Sequence, residues 1–288
     1  MVYRAETKDN QSLAVKFPKL QQNPANQIAA HEIAMLKKFN SSPYHVSLYA
    51  TGDNGTSNGS ALFMEYLAGN SYFESRTKNA GAWRSLSNER KMQFAMQLLH
   101  GVQVMHKQNI VHKDLKPENI GMTTALSANT DIKIIDLGSA CSAGTCSDTS
   151  GYTSTYAPPQ MFNKSFGRAG AADQKKHDVF SAGLIIYEFF STNVDSGQKQ
   201  DGNHYVTRGR HQTSLMKNDS IPTFVQSLLK SMLQPDVEKR CTIDQAIQKA
   251  AQIMNKQGFR EKKPHNKPGP ASLKNGRVGG SLTMKYFY

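Results

Sequence analysis

Four side chains with the chemistry of phosphate transfer stand in two short segments of the sequence. Residues 112–119 read His-Lys-Asp-Leu-Lys-Pro-Glu-Asn and carry Asp114, Lys116 and Asn119, and residues 136–138 read Asp-Leu-Gly. An Asp can accept a proton from a hydroxyl, a Lys can neutralise phosphate oxygens, and an Asn and a second Asp can bind Mg²⁺. The two segments therefore predict transfer of a phosphoryl group from Mg-ATP to a hydroxyl.

These segments resemble the catalytic loop and the metal-binding loop of the eukaryotic-type protein kinases. An isolated Asp-x-Lys is usually a pair of surface charges, but here further matches accompany it, namely His112, Leu115, Pro117, Asn119 and the later Asp-x-Gly. The sequence departs from the family at Lys113, where the family has Arg, and at Leu137, where it has Phe. The resemblance implies Asp114 as the base, Lys116 as the cation at the transferred phosphate, and Asn119 and Asp136 as Mg²⁺ ligands.

The segment before the catalytic loop supplies other parts that the resemblance requires. Residues 13–17 alternate as in a β-strand, which places Ala14 and Lys16 on one face. In this family the Ala contacts adenine and the Lys binds the α- and β-phosphates. A helix is predicted to begin at the Asn-Pro pair 23–24, and Glu32 lies on its apolar stripe, where a carboxylate needs a partner. The resemblance makes Lys16 that partner, and the alternative is a surface Glu in a Lys-rich helix.

The adenine site is predicted from pattern. Residues 62–69 resemble the strand and hinge that bind adenine through backbone groups, although a buried strand of any fold could look similar. The nucleotide contacts predicted there are Met64 at the gatekeeper position, Glu65 and Leu67. Apolar residues repeat at helical spacing over residues 88–107, which lead into the catalytic loop, and residues 132–135 form a β-branched strand that delivers Asp136.

A segment rich in Ser and Thr follows the metal-binding loop. It ends in residues 153–160, Thr-Ser-Thr-Tyr-Ala-Pro-Pro-Gln, and resembles the activation segment of the family, whose end reads Thr-x-x-Tyr-x-x-Pro-Glu. Thr153 matches the threonine that contacts the base and the Lys in serine/threonine kinases, which favours a Ser or Thr acceptor. Candidate phosphorylation sites are Ser147, Thr149, Ser150, Thr153 and Thr155, although solvation alone would explain these hydroxyls. Lys113 could pair with such a phosphate as a point charge.

Two further residues are predicted to support the larger lobe. Asp178 opens a helix that is apolar nearly all round and therefore buried, and it matches the Asp that anchors the catalytic-loop backbone in the family. Arg240 ends a run that resembles the Asp-Pro-x-x-Arg motif, whose Arg pairs with the Glu closing the activation segment. Gln160 replaces that Glu, so a neutral hydrogen bond is expected in place of a salt bridge.

The sequence has no Gly-x-Gly-x-x-Gly before Lys16, although a glycine-rich loop normally covers the phosphates in this family. Residues 1–5 resemble the strand that follows this loop. Three interpretations are open: a start codon assigned too late, an active kinase with weak ATP affinity and slow transfer, or a pseudokinase that kept its catalytic residues. The first two are favoured because the set of catalytic residues is complete, namely Lys16, Glu32, Asp114, Lys116, Asn119 and Asp136.

Composition narrows the class of protein. At 288 residues the chain fits one two-lobed domain and a tail. The 3 cysteines give no disulfide framework; Cys141 and Cys146 could form a redox bridge, but reduced cytosolic thiols are expected. The sequence shows no signal peptide and no apolar run long enough to span a membrane. We therefore expect a cytoplasmic protein, or alternatively a bacterial effector delivered into a host cytosol.

The formal charge of +13 is partly concentrated in residues 255–288, where Pro and Gly predict a flexible extension. This tail could bind acidic protein, anionic lipid or nucleic acid, or it could serve only solubility. Its terminal Tyr-Phe-Tyr suggests a docked end. Residues 52–60 are expected to form a polar turn, and residues 192–213 a polar loop near the substrate site.

The predicted fold is α+β and protein kinase-like, with a small β-sheet lobe lacking its first strand and a larger, mainly α-helical lobe. The predicted boundaries are 1–67 for the small lobe, 68–254 for the large lobe and 255–288 for the tail. The predicted activity is transfer of the γ-phosphoryl group of ATP, with Mg²⁺, to serine or threonine hydroxyls of proteins. The alternatives are a pseudokinase scaffold that binds nucleotide or a partner, and a small-molecule kinase, which would lack the activation segment. The substrate and the oligomeric state are left open.

Overall fold

A computed structural model describes residues 2–7, 10–17, 25–53, 60–147, 151–191, 221–265 and 283–286. They form a small lobe built on a β-sheet and a larger lobe built mainly from helices, so the predicted α+β kinase-like architecture is confirmed. Several predicted features lie wholly or largely outside these residues: the helix start at 23–24, the turn at 52–60, the loop at 192–213, and Thr149 and Ser150. Within the described ranges, no helix is long and apolar enough to cross a bilayer.

The small lobe contains a 5-stranded antiparallel sheet. Its strands are β1 (Val2–Glu6), β2 (Ser12–Lys16), β3 (Leu48–Asp53), β4 (Ser60–Glu65) and β9 (Thr283–Tyr286), in the order β3-β4-β2-β1-β9. Among the described residues β1 is the first strand of the chain, so the family's preceding strand is missing as predicted, and β9 occupies the edge beside β1. The position is filled from the far end of the chain, a pairing that local sequence pattern does not reveal.

Alternation along the strands builds the small core of this sheet. Ala5, Leu13 and Val15 are completely buried and pack against Ala50, Ala61 and Phe63. On the other face lies α1 (Ala25–Phe39), whose Leu36 and Phe39 enter the main core that continues into the larger lobe. Because period-2 burial of β2 directs Leu13 and Val15 into the small core, Ala14 and Lys16 face the opposite way, as predicted.

The larger lobe is organised around two long helices. Its helices are α2 (Tyr72–Lys78), α3 (Ala80–Ser85), α4 (Asn88–Lys107), α5 (Pro159–Phe162), α6 (Ala171–Phe190), α7 (Thr223–Met232) and α8 (Ile243–Gln257). The bounds predicted for α4 are confirmed; Ser87 caps its first turn by accepting from the Arg90 N–H. α6 is buried along most of its length, as its apolar sequence predicted, but it begins seven residues before Asp178.

Two short antiparallel strand pairs position the loops between α4 and α6. β5 (Ile110–Val111) pairs with β8 (Cys141–Ser142), and β6 (Ile120–Met122) pairs with β7 (Ile132–Ile134). Ile120 stands opposite Ile134, so the residues that precede β6 and follow β7 meet at one end of the hairpin. The pairing therefore brings the catalytic loop and the metal-binding loop side by side.

The end of α8 corrects the predicted tail. A capping box of Thr242 and Gln245 opens this helix, and Gly258 closes it in the left-handed conformation at φ 70°. The predicted boundary at residue 255 thus lies inside a helix. Beyond it, the Arg260 N–H donates to Glu89 on α4 at 2.8 Å, so the described part of the extension is packed rather than free.

Candidate active site

The catalytic loop is anchored by a completely buried carboxylate on α6. Asp178 accepts hydrogen bonds from the backbone N–H groups of His112 at 2.8 Å and Lys113 at 3.0 Å, and its Oδ2 also lies 3.0 Å from His106 Nε2. Burial raises the pKa of Asp178, but hydrogen bonds from neighbouring histidines lower it more, and the net direction is downward. The group is therefore ionised at neutral pH and holds the start of the loop through charge-assisted hydrogen bonds.

The residues next to that anchor have an unusual backbone conformation and a bridging side chain. Lys113 adopts φ 72°, a left-handed conformation that is costly for a residue with a Cβ. His112 Nδ1 accepts from the Asp114 N–H at 3.3 Å, which leaves Nε2 to carry the proton and donate to the Ile135 carbonyl at 3.3 Å. The histidine thus connects the catalytic loop to the residue before Asp136.

Asp114, Lys116 and Thr153 form a closed ring of hydrogen bonds. Thr153 Oγ1 donates to Asp114 Oδ1 at 2.7 Å, and Lys116 Nζ lies 2.7 Å from Asp114 Oδ2 and 2.9 Å from Thr153 Oγ1. Asn119 Nδ2 donates to the Asp114 carbonyl at 2.7 Å, so its amide oxygen is the group left to face a cation. The predicted contact of Thr153 with both the base and the lysine is present.

A second charged cluster joins the two lobes. Lys16 Nζ lies 2.6 Å from Glu32 Oε1 and 3.0 Å from Asp136 Oδ1, so the predicted Lys–Glu contact is present. Burial lowers the pKa of Lys16, but the two carboxylates raise it, with the net direction upward. Burial raises the pKa of Asp136, but Lys16 lowers it more, so the carboxylate is ionised at neutral pH.

The Asp136 carboxylate and the Asn119 amide offer oxygen atoms of the kind that Mg²⁺ prefers. The Asp136 side chain is 49% exposed, and the residue adopts φ 58°, with the Gly138 N–H 3.4 Å from Oδ1. The Ile135 N–H donates to the Asn119 carbonyl at 2.9 Å, which holds the two loops together. The described ranges contain no group of three or more His, Cys, Asp or Glu able to hold a metal.

The residues predicted to contact adenine lie on β2, on β4 and just after β4. Ala14 stands opposite Met64 in the strand register, and Met64 is mostly buried. The Glu65 side chain is not directed to a ligand, because Lys133 Nζ binds it at 2.7 and 2.9 Å in the interior. Any contact of Glu65 with nucleotide is therefore through its backbone. Within the described part of the chain, the Leu67 N–H donates no hydrogen bond.

Arg240 lies away from this site and connects the end of the activation segment to the turn after α7. Its guanidinium donates to Gln160 Oε1 at 2.9 Å, as predicted for a neutral partner, and to the carbonyls of Gln234, Lys176 and Pro235. These carbonyls stabilise the buried charge where the family has a carboxylate. Burial lowers the pKa of Arg240 to about 10, so the group remains charged at pH 7.

Restoring the carboxylate should therefore stabilise the protein. In Gln160→Glu we expect the free energy of unfolding to rise by about 1 kcal/mol, because a charge-assisted hydrogen bond replaces a neutral one. The Pro235 carbonyl loses its bond from Gln160 Nε2 but keeps the one from Arg240. Urea unfolding at pH 7 measures the change, with Gln160→Ala as the matched variant that should lose stability. A Gln160→Glu protein less stable than wild type would contradict this reading of the Arg240 site.

A buried cluster that no sequence pattern predicted holds the end of the activation segment. Tyr156 Oη donates to Glu188 Oε1 at 2.6 Å, Arg76 forms an ion pair with the same carboxylate, and Ser181 Oγ donates to the Tyr156 carbonyl at 2.8 Å. Burial raises the pKa of Glu188. A signal was available, since a carboxylate within an otherwise apolar stretch of α6 requires a partner.

A disulfide lies in the same segment, where reduced thiols were expected. The sulfurs of Cys141 and Cys146 are joined, and Gln174 on α6 accepts from the N–H groups of Gly144 at 2.7 Å and Cys146 at 3.3 Å. The expectation of reduced cysteines is therefore wrong for this structure. It rested on an assumed compartment, whereas a local turn, in which the Thr145 N–H donates to the Ser142 carbonyl at 3.0 Å, leaves the two Cα atoms 5.5 Å apart.

Reduction of this bridge should cost stability. The bridge closes a short loop with a sequence separation of 5, so we expect reduction to lower the free energy of unfolding by about 2 kcal/mol. Thiol titration of the denatured protein should find one thiol, that of Cys241, before reduction and all 3 afterwards. A double Cys141→Ser, Cys146→Ser variant should match the reduced protein and should not respond to dithiothreitol. Three thiols before reduction would contradict the bridge.

Comparison with known proteins agrees with this geometry. Residues 1–251 match the protein kinase domain family. The probable serine/threonine-protein kinase fhkC of Dictyostelium discoideum is 30% identical over 194 residues, which are 65% of this chain and 30% of that relative. The family match includes every residue of the two charged clusters and their anchor. This chain belongs to the protein kinase family.

Proposed function

We propose that this protein transfers the γ-phosphoryl group of ATP to serine or threonine hydroxyls of protein substrates. The observation that carries the proposal is the ring of Asp114, Lys116 and Thr153, in which a carboxylate, an ammonium and a hydroxyl lie within 2.9 Å of one another. The ring offers one acceptor for a hydroxyl proton and one cation for phosphate charge. The name of the Dictyostelium relative, a probable serine/threonine-protein kinase, supports the same class of acceptor.

The roles of the residues follow from their charges and positions. Asp114 accepts the hydrogen bond, and then the proton, of the attacking hydroxyl. Lys116, 2.7 Å from that carboxylate, neutralises charge on the transferred phosphoryl group. Lys16, held by Glu32, binds the phosphates that remain on the nucleotide. Asp136 and Asn119 would hold Mg²⁺, which neutralises phosphate charge when bound.

Nucleotide binding is proposed at the junction of the lobes, between residues 1–67 and residues 68–254. Ala14 and Met64 supply apolar contacts to the base. The backbone groups of Glu65 and Leu67 supply its hydrogen bonds, which fits the unoccupied N–H of Leu67 among the described residues. Lys16 lies two residues from Ala14 on β2, so one strand contacts both the base and the phosphates.

Labelled ATP gives a direct test. The full chain, Mg²⁺, γ-labelled ATP and a general protein acceptor should give phosphoserine or phosphothreonine, and Asp114→Asn should lower the label by about 100-fold or more. Label on small alcohols but not on protein would support a small-molecule kinase. ATP binding without transfer above the Asp114→Asn level would support a pseudokinase scaffold.

A further inference from the structure

The strand β1 is enclosed on both sides by segments from opposite ends of the chain. On one side it pairs with β2, where Val2 stands opposite Lys16. On the other it pairs antiparallel with β9, with Tyr3 opposite Tyr286 and Glu6 opposite Thr283. Unpaired strand edges attract other extended chains. In this protein the edge of β1 accepts a strand from its own C-terminal tail.

β1 alone separates the tail strand β9 from β2, the strand that carries Ala14 and Lys16. Arg4 on β1 stands opposite Ala14 on β2 and opposite Lys285 on β9. Backbone hydrogen bonds between neighbouring strands fix the relative positions of their residues. The pairing of β9 therefore supports β1, which in turn supports the strand that carries Lys16.

The same tail has a second attachment on the larger lobe. Gln97 Nε2 on α4 donates to the Lys262 carbonyl at 3.1 Å, and Lys262 Nζ lies 3.0 Å from Asp131 Oδ1. His100 Nε2 lies 3.0 Å from Glu261 Oε1. The tail therefore contacts α4 of the larger lobe just after α8 and the sheet of the small lobe at β9.

The β9 pairing is short, since it includes four residues. A strand of four residues at the edge of a sheet is expected to exchange between bound and free states more readily than the interior strands.

We propose that the outer edge of β1 is a docking surface for the tail strand Thr283–Tyr286, and that the docked tail links the two lobes and holds the nucleotide strands in place. The occupant is this chain's own segment, bound within the same molecule. The effect on ATP rests on the proposed function, whereas the strand pairing does not. Release of the strand would uncover the edge of β1 and loosen the position of Lys16.

Hydrogen exchange of the β1 amides in the full chain tests the pairing without any activity. Met284→Pro removes a backbone donor and disfavours a paired strand, so the peptide covering residues 2–7 should exchange about tenfold faster or more. Ala271→Pro is the matched control, since it adds a proline next to Pro270 elsewhere in the tail, and it should exchange like wild type.

Two results would overturn the proposal. One is equal exchange of the β1 peptide in wild type and Met284→Pro. The other is protection that depends on protein concentration together with a dimeric mass by light scattering, which would assign the strand to a second copy. If the pairing is supported, the KM for ATP should rise about threefold or more in Met284→Pro. The reason is that a smaller fraction of the molecules would have the small lobe in the conformation that binds ATP. An unchanged KM would overturn the effect on nucleotide, and inactivity of all variants would count against the proposed function only.

Discussion

Replacing Asp114 by Asn should lower kcat for phosphoryl transfer by about 10²- to 10⁴-fold, the range for loss of a positioned general base. The substitution preserves the shape of the side chain, and its amide oxygen can still accept from Thr153 Oγ1, which donates at 2.7 Å in the wild type. It removes the negative charge that accepts the proton of the attacking hydroxyl. The KM for ATP should change little, because the substitution leaves Lys16 and the hinge, the proposed nucleotide contacts, unchanged.

Thr153→Val provides the matched comparison for this prediction. It removes the hydroxyl that binds both Asp114 and Lys116 but leaves the base in place. The expected loss of kcat is therefore smaller than in Asp114→Asn. Steady-state rates of both purified variants with Mg-ATP measure the difference. An Asp114→Asn enzyme that retains wild-type kcat would remove Asp114 from the proposed mechanism.

Much of this site could be predicted because its parts are local in sequence or lie on periodic elements. Asp114, Lys116 and Asn119 fall within six residues, so one loop presents them together. Lys16 and Glu32 are farther apart, but a strand face and a helix stripe each predicted a side chain directed inward. A buried carboxylate also requires a cation, which made their contact predictable before any geometry was known.

The contacts that escaped prediction join distant segments without a periodic signal. Tyr156 and Glu188 meet because α6 runs beneath the activation segment, and neither local pattern specifies the other. The β9 strand was missed for a stronger reason. A basic stretch rich in Pro and Gly has the composition of a flexible tail, and a four-residue strand is too short for alternation to be distinguished from chance.

Departures from the family pattern were the least predictable part, since they depend on local geometry. The sequence showed that Gln160 would weaken the bond to Arg240. It did not show that three backbone carbonyls surround the guanidinium. The cysteines were interpreted from composition and compartment, and the short turn that brings them together was not considered. In both cases the missing information was which backbone groups approach a side chain.

Replacing Asp178 by Ala should be the most destabilising change at this site, with a loss of about 3–5 kcal/mol in the free energy of unfolding. The buried N–H groups of His112 and Lys113 would lose their acceptor, and His106 would lose its partner. Lys113 would then have less to hold it in its left-handed conformation. Urea unfolding compared with Ser181→Ala, which removes a buried hydroxyl from the same helix, separates loss of the anchor from general disruption.

The pH dependence of that loss distinguishes a lost charge from a lost contact. The pKa of Asp178 is lower in the folded state than in the unfolded chain, so its stabilising contribution is present above the unfolded value of about 3.9 and is lost as the pH falls below it. The difference in stability between wild type and Asp178→Ala should therefore be constant near neutral pH and shrink below about pH 4. Because Asp178 positions the loop and does not contact substrate, kcat of the folded variant should fall while the KM for ATP stays near the wild-type value. A stability difference that persists unchanged in acid would show that Asp178 acts through packing alone.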